Sequence, residues 1–149
     1  MDIKIVSKNR KAHLDFFLIE RIEAGIILQG SEIKSIREGQ MSLAESYVRI
    51  DGNEAWLVDS HIAPYHQSSH YNHEPRRPRK LLLHKSEIQR LWDEVRRKGI
   101  TIIPTMVYIK NGRAKVEIAI AKGKKQYDKR AAIAKRDAQR EIERNYQKS

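Results

Sequence analysis

The chain has 149 residues, no cysteine and a formal net charge of +11. That length suits one domain with appendages, and the missing thiols exclude a disulfide framework or a thiolate metal site. No apolar run approaches the roughly 20 residues that cross a bilayer.

Met1-Asp2-Ile3-Lys4-Ile5-Val6 is too short and has the wrong flanks for a signal peptide, so a soluble cytoplasmic protein is expected. Asn9-Arg10-Lys11-Ala12-His13 is basic and turn-prone. Phe16 to Ile22 reads as a strand, Glu23-Ala24-Gly25 as a turn, and Ile26-Ile27-Leu28 as a second strand closed by Gly30. An acid at Glu23 has two readings: a solvated turn residue, or a group on a basic face that accepts from a base edge or orients a neighbouring Arg. The residues alone favour the first. Ser31 to Arg37 sets Ile33 and Ile36 at helical spacing, with Ser31 as cap and Gly39 as terminator.

Leu43 to Ile50 and Glu54 to Ile62 flank Asp51-Gly52, and Thr101 to Lys110 and Arg113 to Ala121 flank Asn111-Gly112. Asn and Gly tolerate the positive φ of a type I′ turn, so both pairs predict hairpins. In the last strand Val116, Ile118 and Ile120 share a core face, while Lys115, Glu117 and Ala119 share a wet one. Between the sheets Ser86 and Gln89 predict a capping box. Ile88, Leu91, Trp92 and Val95 then make one apolar stripe, and Gly99 closes the helix.

The stretch from Pro64 to Lys80 predicts a long polar loop. Its basic run, Arg76-Arg77-Pro78-Arg79-Lys80, is expected to contact phosphates, because guanidinium forks suit phosphate oxygens and prolines restrict the backbone. Tyr65, His66, His70, Tyr71 and His73 precede it and are suited to loop hydrogen bonding or to stacking on RNA bases. His70 and His73 are spaced three apart, but no carboxylate cluster completes a metal site, and no cofactor is expected. No nucleophile elbow, Gly-rich phosphate loop or adjacent carboxylate pair is present, so no enzyme is expected.

The 28 residues from Lys122 to Ser149 hold ten Lys or Arg and four acids, a net +6. Such a segment repels itself and has little to bury. Its stripe of Ala131, Ala134, Ala138 and Ile142 is too weak for an isolated helix in water. Gly123 reads as a hinge, and Tyr127 lies within the lysine cluster as a stacking residue. The fold class is therefore mainly β: a small antiparallel barrel of the oligonucleotide-binding (OB-fold) kind with peripheral helices over 1–121. A basic tail over 122–149 is expected to be disordered when free.

Asn9-Arg10-Lys11-Ala12, the run from Glu23 to Arg37, Ser46-Tyr47-Val48, Asn72-His73-Glu74-Pro75, Arg79-Lys80-Leu81-Leu82-Leu83 and Ala121-Lys122-Gly123-Lys124-Lys125 with Asp128-Lys129-Arg130 occur in order. On these the chain resembles the SsrA-binding protein (small protein B) family, partners of transfer-messenger RNA, over nearly its whole length. Ser42 departs from the Asn that the family usually shows. The resemblance implies binding to the tRNA-like domain of that RNA and delivery of it, with elongation factor Tu, to stalled ribosomes for peptide tagging. It implies RNA-binding roles for Asn9, Glu23, Leu82 and Lys115, to which the basic runs add Arg10, Lys11, Arg76, Arg77, Arg79 and Lys80. It also implies that Lys122, Gly123, Lys124, Lys125, Tyr127, Asp128, Lys129 and Arg130 enter the decoding site and vacant messenger channel. A monomer is expected. The competing readings are a ribosome-associated structural protein and a small nuclease using His13 and Lys11.

Overall fold

The structure is a computed structural model that describes residues 3–66, 72–124, 133–134 and 136–140. Its strands are β1 (Ile3–Lys8), β2 (Phe16–Ile26), β3 (Met41–Ser42), β4 (Tyr47–Asp51), β5 (Glu54–Val58), β6 (His61–Ile62), β7 (Arg79–Leu82), β8 (Ile100–Lys110) and β9 (Arg113–Gly123). The helices are α1 (Arg10–Asp15), α2 (Gly30–Arg37) and α3 (Lys85–Val95). Seven strands form one antiparallel sheet in the order β1-β8-β9-β2-β7-β5-β4, and β3 pairs with β6.

The β8–β9 hairpin is the spine. Asn111 and Gly112 take φ of +50° and +78°, the left-handed pair that a type I′ turn needs. Beyond it Val116, Ile118 and Ile120 bury their side chains with Val107, Ile102, Leu57 and Leu81. Each such side chain contributes about 1.5–3 kcal/mol by leaving water. Leu91 of α3 and Ile36 of α2 close this core from outside the sheet. Ala119, expected on the wet face, is buried, and α1 lays Ala12 against Ile103 and Ala121 in a second small core.

Several boundaries differ from expectation. Glu23-Ala24-Gly25 is not a turn: β2 runs through it because β9 templates it residue by residue, Glu23 opposite Glu117, Ala24 opposite Val116 and Gly25 opposite Lys115. Helix α3 starts at Lys85, and Glu87, not Gln89, accepts from the N-cap amide, that of His84, at 2.9 Å. Likewise α2 starts at Gly30, where Glu32 accepts from the Gln29 amide at 2.7 Å, which frees Ser31 from capping. A carboxylate suits both positions because the helix N-terminus carries partial positive charge. Ser42 makes the local turn itself: its Oγ accepts from the Ala44 amide at 3.3 Å.

The sheet curls until β4 lies against β8, but no ladder closes it, because β1 occupies the free edge of β8. β9 continues through Lys122, opposite Phe17, to Gly123, opposite Phe16. Both residues thus belong to the last strand, two residues past the expected boundary at 121, and Gly123 is laddered rather than a hinge. Lys125, Tyr127, Asp128, Lys129 and Arg130 lie outside the described residues, as does the expected disorder of most of 122–149. Residues 133–134 and 136–140 are helical and exposed. Among the described residues no helix is long and apolar enough to cross a membrane, and no three metal-ligating side chains gather.

Candidate nucleic-acid interface

Side chains directly opposite one another in antiparallel strands emerge on the same face. The register therefore draws a row across five strands: Ile5 opposite Tyr108, Tyr108 opposite Lys115, Lys115 opposite Gly25, and Gly25 opposite Leu82. Glu23 lies two residues before Gly25 and shares its face. Glu23, Leu82 and Lys115, far apart in sequence, thus converge. Leu82 is 54% exposed and offers an apolar surface beside Gly25. A Cβ on Gly25 would stand 3.1 Å from the Leu82 Cβ, so glycine keeps a notch open between Leu82 and Lys115. A shallow depression of about 350 Å³ lies there, lined by Glu23, Gly25, Leu82, Leu83, His84, Glu87 and Lys115. Lys80 lies two residues before Leu82 on the same strand and extends the basic surface, its ammonium 3.6 Å from Glu54.

Two like charges meet two residues along from this row, Glu23 opposite Glu117. Each is relieved by a donor from β8. The Tyr108 hydroxyl donates to Glu23, with the Lys110 ammonium 3.4 Å away, and the Thr105 hydroxyl donates to Glu117. The bond from Tyr108 holds the Glu23 carboxyl below its ordinary value, with Lys110 and Lys115 adding to the effect against some desolvation. Burial, and then Glu23 itself, push the Tyr108 phenol far upward, so it stays a donor. Sequence reasoning missed Tyr108, Lys110 and Arg113. The signal was present, because an Asn111-Gly112 hairpin in two-residue register must set Lys110 opposite Arg113 and Tyr108 opposite Lys115.

The other expected residues lie elsewhere. Asn9 is buried and bonded at both ends of its amide: its Oδ1 accepts from the Ala12 amide at 3.3 Å and its Nδ2 donates to the Pro104 carbonyl at 2.8 Å. It caps α1 and ties it to β8, which corrects its assignment to an RNA-facing surface. Arg10 is exposed and Lys11 pairs with Glu45 at 2.5 Å. Both stand at the opposite end of β2 from Glu23, roughly 23 Å away at about 3.3 Å per residue. Lys124 is at that same end: its amide donates to the Asp15 carbonyl at 2.9 Å and its ammonium lies 5.1 Å from the Phe17 ring centroid.

Arg79 is a second correction. It is 0% exposed, its Nε donates to Glu32 at 2.6 Å, and its Nη1 donates to the Ser60 carbonyl at 3.0 Å. Arg77 donates to the other Glu32 oxygen at 2.5 Å. These forks join β7 to α2 and leave Arg79 no reach to a phosphate. Only Arg76 of the run is both exposed and lightly held, through the Asp59 carbonyl at 3.2 Å. His73 is a buried core histidine between the Ser31 hydroxyl (2.8 Å) and the Ile62 carbonyl (2.9 Å). His70 and Tyr71 lie outside the described residues.

Known proteins resemble the chain over most of its length. A family model described as SmpB protein matches residues 6–148. A protein named SsrA-binding protein from Desulforudis audaxviator (strain MP104C) is 57% identical over 141 residues, covering 95% of this chain and 92% of that one. One of the same name from Roseiflexus castenholzii (strain DSM 13941 / HLO8) is 58% identical over 142 residues, covering 95% and 90%. A solved structure described as "tmRNA-SmpB: a journey to the center of the bacterial ribosome" superposes with a TM-score of 0.69 at 44% identity, covering 80% of this chain and 84% of that one. With a family match over nearly its full length, the chain belongs to the SmpB protein family.

Proposed function

We propose that this chain binds the tRNA-like domain of transfer-messenger RNA and delivers it to stalled ribosomes for trans-translation, as a cytoplasmic monomer linked functionally to elongation factor Tu. The curled sheet is then an oligonucleotide-binding barrel with peripheral helices, and residues 1–121 are its RNA-gripping domain. The relatives' name and the solved ribosomal complex support the partners. The convergence of Glu23, Leu82 and Lys115 from three strands around the Gly25 notch carries the reading. A preformed, part-apolar, part-basic face suits a structured RNA recognised by shape. Lys122, Gly123, Lys124, Lys125, Tyr127, Asp128, Lys129 and Arg130 begin at the other end of the molecule and lead into the decoding site and messenger channel. No bond of the RNA is broken in this role, so the protein supplies no chemistry.

Binding of a transcript of the tRNA-like domain tests the reading. Lys115→Ala should weaken binding about tenfold and lower the salt slope by roughly one, the signature of a lost phosphate contact. Lys11→Ala, at the far pole, should leave affinity unchanged. Equal losses from both, or none from Lys115→Ala, would place the RNA elsewhere.

A further inference from the structure

The acid in the RNA face carries a further assignment. Glu23 sits on a surface otherwise built to attract phosphate, where an unrestrained carboxylate would repel it. Yet it is held, not left to swing. Tyr108 is 8% exposed, stands directly opposite Lys115, and donates its hydroxyl to Oε2 of Glu23. Lys110 approaches that same oxygen at 3.4 Å. Both donors therefore come from β8 and load one side of the carboxylate. Among the described residues neither bond uses Oε1, and Glu23 lines one depression with the bare backbone of Gly25, the side chains of Leu82 and Leu83, and the polar groups of Lys115, His84 and Glu87. A fixed, half-satisfied acceptor beside an apolar shelf fits a base edge that presents N–H groups, such as the amino edge of cytosine or guanine, with the base face against Leu82.

We propose that Tyr108 is a positioning residue for RNA recognition: it aims Glu23 so that the carboxylate's second oxygen accepts from an N–H of an unpaired base laid over the Gly25 notch. This rests on the RNA-binding reading above. Tyr108 touches no RNA itself; it removes the rotamer freedom and fixes the charge of the group that does.

The test is a double-mutant cycle with Tyr108→Phe, Glu23→Gln and the double variant, measured against a transcript of the tRNA-like domain at fixed salt. A charge-assisted bond lost or misaimed predicts about a tenfold loss for Tyr108→Phe and at least as much for Glu23→Gln. The double variant should bind no worse than Glu23→Gln alone. The salt slope should stay at its wild-type value, because no phosphate contact is removed. Wild-type affinity should also persist to lower pH than that of Tyr108→Phe, since removing the hydroxyl lets the Glu23 carboxyl rise toward its ordinary value of 4.5. Wild-type affinity in Tyr108→Phe, or losses that multiply in the double variant, would overturn the proposal. If Glu23→Gln weakens binding and Tyr108→Phe does not, this inference alone falls. If neither does, the RNA-binding reading of this face falls with it. Should Tyr108→Phe melt below the assay temperature, carbon NMR of the wild-type Glu23 carboxyl decides: titration at the ordinary value contradicts the proposal, and titration below it supports the proposal.

Discussion

Arg79 and Glu32 are both fully buried, and the price of taking two charges out of water is met because all three Arg79 nitrogens donate, Nε to Glu32, Nη1 to Ser60 and Nη2 to the Glu74 and Pro75 carbonyls. Burial opposes ionisation of Glu32, but bonds from Arg77, the Gln29 amide and Arg79 outweigh it and hold the carboxyl below its ordinary value. Replacing Glu32 by Gln leaves a buried guanidinium without its counter-charge and should cost about 3–5 kcal/mol at neutral pH, read by urea unfolding. The folded carboxyl titrates below the unfolded one. Its contribution is therefore complete above the unfolded value of about 4.5 and is lost as pH falls through the folded one. The wild-type and Glu32→Gln stability curves should converge in acid; a constant gap would show that the charge is not what stabilises. The sequence shows Arg77 and Arg79 only as members of a basic run. Nothing local distinguishes a solvated guanidinium from one aimed at an acid 47 positions earlier, which is why the run reads as a phosphate loop.

At the level of elements, α1 exposes what a short helix needs. Six residues cannot hold a helix in water, so its order comes from the Asn9 cap, from Ala12 in the small core and from the Nδ2 bond to β8. Asn9→Ala should lower stability by about 1–2 kcal/mol, seen as a lower melting temperature. RNA affinity measured on the folded protein should be unchanged, whereas a direct RNA contact at Asn9 would weaken it. The long hairpin was legible because Asn111-Gly112 states its turn type and Val116, Ile118 and Ile120 state the buried face. The unbroken β2 was not. Glu23-Ala24-Gly25 has the composition of a turn and becomes strand only because β9 pairs with it, a constraint from residues some ninety positions away. The same holds for Lys122 and Gly123, whose ladder partners are Phe17 and Phe16. Of the candidate site, Lys115 was readable as a wet-face residue of the last strand, and the roles of Glu23, Leu82 and Lys115 came only through the family resemblance. The placing of Leu82 beside Gly25 required the β2–β7 register, which no local pattern encodes.

Across the whole molecule, two poles separate along the length of β2. Glu23, Gly25, Leu82 and Lys115 mark one end; α1 and Lys124 mark the other. A folded surface can grip a structured RNA at the first pole, while Lys124, where the continuous description of the chain ends, marks the second. Charge alone does not distinguish the two poles, since both are cationic; position does. The division is tested most directly by a chain ending at Lys124, assayed at physiological salt for affinity toward the tRNA-like domain and for peptide tagging on a stalled ribosome. The account predicts affinity within about twofold of the full chain, because counterion release at the intact face is retained, together with loss of tagging. Loss of RNA binding in that shortened chain would contradict it.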